Sequence, residues 1–328
     1  MDANALQTFT SPVVLFFILG LLAAFAKSDL SIPEAIAKGL SLYLMAAIGL
    51  KGGVAVAQSG IDSTVALALL AGIAASFLLP FMAYWVLNAF GRLDRLNSGA
   101  VAAHYGSVSV VTYVTAVEIL EIGAIPAAGF MVAVLAAMET PAILSGLMLA
   151  KRHSKQSGGQ NRGEMLHEVF LNASVVLLLG SFAIGAIAGP DGFVEVSSFF
   201  EAGFKGVLCI FLLDMGLIAA RRIMNSRAIT MRLTMIAIGL PLFNGLLGTI
   251  VGAAIGLDVG STAAFGVLCA SASYIAVPAA MRLALPEADP GIYLTMSLSI
   301  TFPFNILINI GVVTALARWL VPIIGYGP

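Results

Sequence analysis

Polar residues interrupt this chain only at intervals. Between them run apolar stretches near 11–26, 33–50, 63–89, 98–117, 125–149, 167–188, 199–219, 231–256, 261–283 and 291–317. None alternates with a period of two, and all are too long for strands, so each reads as a helix. About 20 apolar residues span the hydrocarbon core of a bilayer, where only helices and closed barrels satisfy their own backbone. The pattern therefore predicts an all-α polytopic membrane protein with ten transmembrane helices.

Composition agrees with the pattern. Of the 328 residues, 60% are hydrophobic and 10% charged, at a mean hydropathy of +1.02, whereas soluble domains carry roughly a quarter charged residues. A soluble enzyme and a disordered regulator are excluded. Sixteen Lys and Arg against 17 Asp and Glu leave no surplus for nucleic acid. Cys209 and Cys269 lie in apolar stretches and offer no disulfide framework. Met1 to Thr10 lack a basic region and a cleavage site, so insertion is expected to rely on the first span.

Orientation follows from the basic residues. With the N-terminus outside, cytoplasmic loops hold Lys27, Arg92, Arg95, Lys151, Arg152, Lys155, Arg162, Arg221, Arg222, Arg227, Arg232 and Arg282, 12 of the 16. The positive-inside rule then puts both termini on the extracytoplasmic side, and the expected location is a bacterial-type inner (plasma) membrane. Trp85 and Trp319, with Tyr84 and Tyr326, read as interfacial anchors.

The chain also repeats itself. Residues 34–50, EAIAKGLSLYLMAAIGL, match 201–217, EAGFKGVLCIFLLDMGL, at an offset of 167. Ser107-Val-Ser109 meets Ser271-Ala-Ser273 at 164, and Pro141 meets Pro303 at 162. Three echoes in order divide the chain into a first five-helix repeat (1–150), a cytoplasmic linker (151–164) and a second repeat (165–328). Five spans are an odd number, so the second copy is inverted. Inverted repeats mark secondary transporters.

Spans four and nine carry the candidate chemistry. Gly106 with Ser107 and Ser109, and Ser271 with Ser273, fall in the middle of apolar runs. Serine at this spacing suits an interrupted helix, one hydroxyl capping the new half-helix and the other entering the gap. Two inverted half-helix N-termini would then make an anion pocket without a buried Lys or Arg. Glu139, just before Pro141, with Thr301 and Asn305 flanking Pro303, are candidates for a coupling cation; Asp214 is a further one, or an ion-pair partner of Arg221 and Arg222. A carboxylate deep in a bilayer costs about 2.5–3.5 kcal/mol and is a functional candidate by default. Such oxygen ligands suit Na⁺, and a carboxylate equally carries a proton. His104 has no second ligand at metal spacing and reads as a packing residue. Glu118, Glu121 and Glu287, near span ends, are expected to be solvated.

The chain resembles the sodium-dependent bicarbonate transporters first described in cyanobacteria. The resemblance covers nearly its whole length, through SPVVLFFILGLLAA, IPEAIAKGLSLYLMAAIGLKGG, YGSVSVVTYVTAVEILE, AAMETPAILSGLMLA and VLCASASYIAVPAAMRLALPEADPGIY. It implies two inverted five-helix repeats, broken and crossing helices four and nine, elevator-like alternating access, a homotrimer, and bicarbonate bound beside Na⁺. It also implies a PII-like cytoplasmic regulator, although the inside loop is shorter here. This chain departs from the family pattern within the motif. Where such transporters read Gly-Ser after the second serine it has Val110 and Val111, and where they carry a carboxylate it has Tyr274.

The sequence reading is thus a non-enzymatic secondary transporter of a small monovalent anion, bicarbonate first, symported with Na⁺. Gly106, Ser107, Ser109, Ser271, Ser273 and Tyr274 would hold the anion, and Thr112, Glu139, Thr301 and Asn305 the cation. Alternatives are another small carboxylate with proton coupling through Glu139, or a membrane sensor that keeps the fold without transport.

Overall fold

A computed structural model describes residues 11–60, 62–151, 173–225 and 229–324. The expected linker 151–164 lies, apart from Lys151, outside the described residues, as do Met1 to Thr10 and Tyr326. Among the described residues there are helices and no strands. In chain order these are α1 (Pro12–Phe25), α2 (Glu34–Ser59), α3 (Ser63–Ala89), α4 (Arg95–Gly106), α5 (Val110–Ile122), α6 (Met131–Glu139) and α7 (Pro141–Lys151). They continue as α8 (Ala173–Phe200), α9 (Phe204–Asn225), α10 (Met231–Ala254), α11 (Val259–Ala270), α12 (Ala276–Ala284) and α13 (Pro290–Ile324).

Every apolar run expected from the sequence contains helix. Among the described residues, seven helices are long and apolar enough to cross a membrane, counting α4 with α5 and α6 with α7. The other runs fall short for visible reasons. α1 and α11 are short, at 14 and 12 residues, and α9 carries Lys205, Asp214, Arg221 and Arg222. α8 turns at Gly189, where φ is +63°, a left-handed conformation that glycine adopts without a Cβ clash.

Aspartate caps begin several helices. Asp62 accepts from Val65 N, Asp94 from Asn97 N and Asp258 from Ser261 N, at 2.9–3.0 Å, which satisfies donors that a helix start leaves bare.

Packing divides the helices into two groups. In the first, α8 lies on α2 and α9 on α1. Glycines let these backbones touch: a Cβ on Gly53 would sit 1.9 Å from Phe182 O, and one on Gly216 2.3 Å from Phe17 O. Without a hydrophobic force between helices in lipid, such close van der Waals contact is what holds them. In the second group, α3 and α7 embrace α4, while α10 and α13 embrace α11. Each pairing in one half of the chain has its counterpart in the other. The broken segments lie inside this second group, and Arg95–Ile122 and Val259–Ala270 are buried along most of their length, so protein surrounds them.

Two findings differ from expectation. The last span is not a uniform α-helix: Thr295–Thr301 and Asn305–Asn309 are wound as π-helix on either side of Phe302–Phe304. Pro303 has no N–H to give, and π turns accommodate such a lost bond. Glu118 is also not solvated. It is 2% exposed and bonded to Lys205, because α2 and α9 cover the end of α5. Glu121 is exposed but paired with Lys51, while Glu287 is exposed as expected.

Candidate functional site

Both serine motifs interrupt their helices. α4 ends at Gly106, and Ser107 turns extended at φ −86°, ψ 163°. α11 ends at Ala270, and Ser271 does the same at φ −75°, ψ 159°. The extended pieces cross and bond each other directly. Ser109 N donates to Ser271 Oγ at 3.0 Å, and Ser273 N donates to His104 O at 3.0 Å. Buried backbone groups released by each break are thus partly satisfied by the other break.

The remaining serine bonds complete the crossing. Ser109 Oγ caps α5, accepting from Thr112 N at 3.2 Å and from Thr112 Oγ1 at 3.0 Å. Ser273 Oγ accepts more weakly from Val277 N, at 3.4 Å. Ser107 Oγ donates to Glu139 O at 3.1 Å, and Ser271 Oγ to Leu268 O at 2.8 Å. Gly106 presses on α3: a Cβ there would lie 2.3 Å from Pro80 Cγ and 2.8 Å from Ser76 O. Ser76 in turn bridges the α6–α7 junction, accepting from Ala142 N at 3.2 Å.

A narrow gap lies at the crossing, lined by Val108, Ser109, Val110, Glu139, Ser273, Tyr274, Ile275 and Ala276. It has room for about one water, less than a four-atom anion needs. No basic side chain lines it. Two of its lining residues carry a buried oxygen without a hydrogen-bond partner, Glu139 Oε2 and Tyr274 Oη. The Tyr274 ring packs edge-on against Phe302 with centroids 5.3 Å apart. A buried carboxylate with no basic neighbour needs a proton or a cation to offset its desolvation.

The structure gathers the sequence-derived candidates unevenly. Ser107, Ser109, Ser271, Ser273, Gly106, Thr112, Tyr274 and Glu139 meet at the crossing. Thr301 and Asn305 are not among the residues lining the gap. Thr301 Oγ1 donates to Ala237 O at 2.6 Å and lies 2.7 Å from Tyr105 Oη. Ala237 O is free for this because Pro241, four residues on, has no N–H to give it. Asn305 Nδ2 donates to Ala270 O at 2.9 Å, and Asn309 joins Asn305 to Pro241 O. These side chains tie α13 to the carbonyls of α10 and α11.

Asp214 is buried on α9, and Arg221 reaches Ser28 O and Leu30 O. His104 is buried, with Nδ1 2.7 Å from Ala100 O and its ring stacked on Tyr293. Sequence reasoning missed the part played by its backbone carbonyl, which receives Ser273 N. It also missed Tyr105, which touches Thr301 and whose carbonyl accepts from Asn244. The only available signal was position, directly before the glycine of the break.

No curated protein matches the chain. A family model does match, over residues 12–318, and the chain belongs to the Na⁺-dependent bicarbonate transporter superfamily.

Proposed function

We propose that this multi-pass membrane protein is a secondary transporter of a small monovalent anion, bicarbonate first, taken up with Na⁺ by alternating access. The observation that carries the reading is the direct contact of two interrupted segments, Ser109 N on Ser271 Oγ and Ser273 N on His104 O. α5 and α12 both start at that contact, so the positive ends of two helix dipoles converge on it. Gly106, Ser107, Ser109, Ser271, Ser273 and Tyr274 form the anion side. Glu139 and Thr112 form the cation side, with Thr301 and Asn305 holding the layer behind. Each ion offsets the other's desolvation, so each binds poorly alone.

Two inverted five-helix repeats underlie this reading. Their support is the matched capping of α4 by Asp94 and α11 by Asp258, 164 residues apart, and the crosswise pairing of α1 with α9 and α2 with α8.

Uptake of labelled bicarbonate into liposomes carrying the purified protein tests the proposal. An inward Na⁺ gradient is expected to drive accumulation that falls about tenfold or more in choline, the range of a typical coupling energy. Equal uptake in both salts would contradict sodium symport. Uptake that tracks a proton gradient would move the coupling ion to a proton on Glu139. Preference for another carboxylate would replace bicarbonate. Anion binding without flux under any gradient would favour a sensor.

A further inference from the structure

α5 starts at the crossing and ends in a cluster of contacts with basic side chains. Lys205, in the first turn of α9, reaches Glu118 Oε1 at 2.6 Å. Lys51 of α2 reaches Glu121 at 3.6 Å. Arg318 of α13 donates to Gly123 O at 3.3 Å. α2 and α9 belong to the first packing group and α5 to the second, so the two ion pairs bridge the groups. Apolar contacts also join α2 to α6, such as Gly52 against Val132. Apolar contacts of that sort are non-directional, whereas an ion pair weakens as its two charges separate.

The stronger pair is lopsided. The Glu118 side chain is 2% exposed and that of Lys205 62%. Removing the ammonium would strand a buried carboxylate, which is strongly unfavourable, whereas neutralising both partners is far milder. Glu118 is therefore at ease in two arrangements: against Lys205, or separated far enough for water to reach it. Bistability of this kind turns small shifts into two discrete states. The matching half-helix α12 reads AVPAAMRLA and carries no acidic residue.

We propose that Glu118–Lys205, backed by Glu121–Lys51, is a latch that closes the α5 end of the site and must open for the anion to enter from that end. The proposal rests on the alternating-access reading above.

Thr115 provides a reporter that needs no flux. It is buried, and lies one turn from Glu118 on the same face of α5. In full-length protein with Cys209→Ala and Cys269→Ala, Thr115→Cys is expected to react slowly with a membrane-impermeant maleimide. Lys205→Ala should speed labelling by about tenfold or more, and Glu118→Gln by less, because it removes the stranded charge as well. The exchange Glu118→Lys with Lys205→Glu should restore slow labelling. Unchanged labelling in monodisperse Lys205→Ala protein would overturn the latch, as would equally fast labelling in the exchanged pair. Labelling that responds in protein without anion flux would sink the transport reading and leave the latch standing. Flux with unresponsive labelling would do the reverse.

Discussion

The two interrupted segments share a motif and differ in how firmly they are held. Their first serines have nearly the same backbone conformation. After that they diverge. The first break lasts three residues, Ser107 to Ser109, and leads into a 13-residue helix capped by the Ser109 side chain. The second lasts five, Ser271 to Ile275, and leads into a 9-residue helix whose N-cap, Ile275, makes no side-chain bond. The close contact also changes sides. In the first half, Gly106 of the broken segment lies on Pro80. In the second, Ala270 takes the corresponding place, and the glycine is Gly245 of α10, where a Cβ would come within 3.1 Å of Ala270 Cβ. The motif decides where a helix breaks; the neighbours decide how stiff the break is. The stiff arm carries the ion pairs, and the looser one carries Tyr274.

The largest expected contrast lies at the glycine. Gly106→Val drives side-chain carbon into Pro80 and Ser76 O, overpacking that costs about 3 kcal/mol. Ala270→Gly should cost no more than about 1 kcal/mol. Thermal unfolding of the two variants in detergent measures the difference, and similar melting temperatures would mean the breaks are equally tolerant. A smaller contrast separates the caps. Ser109→Ala loses a cap with two partners, about 1 kcal/mol, while Ser273→Ala loses one long bond, a few tenths. Hydrogen exchange at the first turns of α5 and α12 reads this directly, and a larger loss of protection in α12 would reverse the assignment of stiffness. The smallest effect belongs to Tyr274→Phe. Its hydroxyl has no partner, so stability should stay within about 1 kcal/mol of the parent. A clear loss of stability would show that the hydroxyl is bonded after all.

Much of this comparison was legible in the sequence. Ten apolar runs are a statement about solvent, and local composition suffices to read it. Gly-Ser-Val-Ser and Ala-Ser-Ala-Ser stand out because hydrocarbon tolerates free backbone groups only where protein satisfies them. What local sequence does not contain is the partner. Thr301 and Asn305 look like ligands when read alone; in the fold their polar atoms meet Ala237 O and Ala270 O, one carbonyl bared by a proline and the other at the second break. Glu118 reads as solvated from its position near a span end, yet α2 and α9 close over it. The π turns on either side of Phe302–Phe304 have a local signal in Pro303, but a proline alone does not tell a π turn from a kink.

Cryo-electron microscopy of the protein in lipid with bicarbonate and Na⁺ would show whether the two crossed segments hold the ions between them. An anion is expected within hydrogen-bond distance of Ser109 and Ser273 at the start of α5 and α12, with a cation on the Glu139 side, in a gap wider than that between the crossed segments here. Ligand density bound away from this crossing, or two segments running unbroken through the membrane, would contradict it.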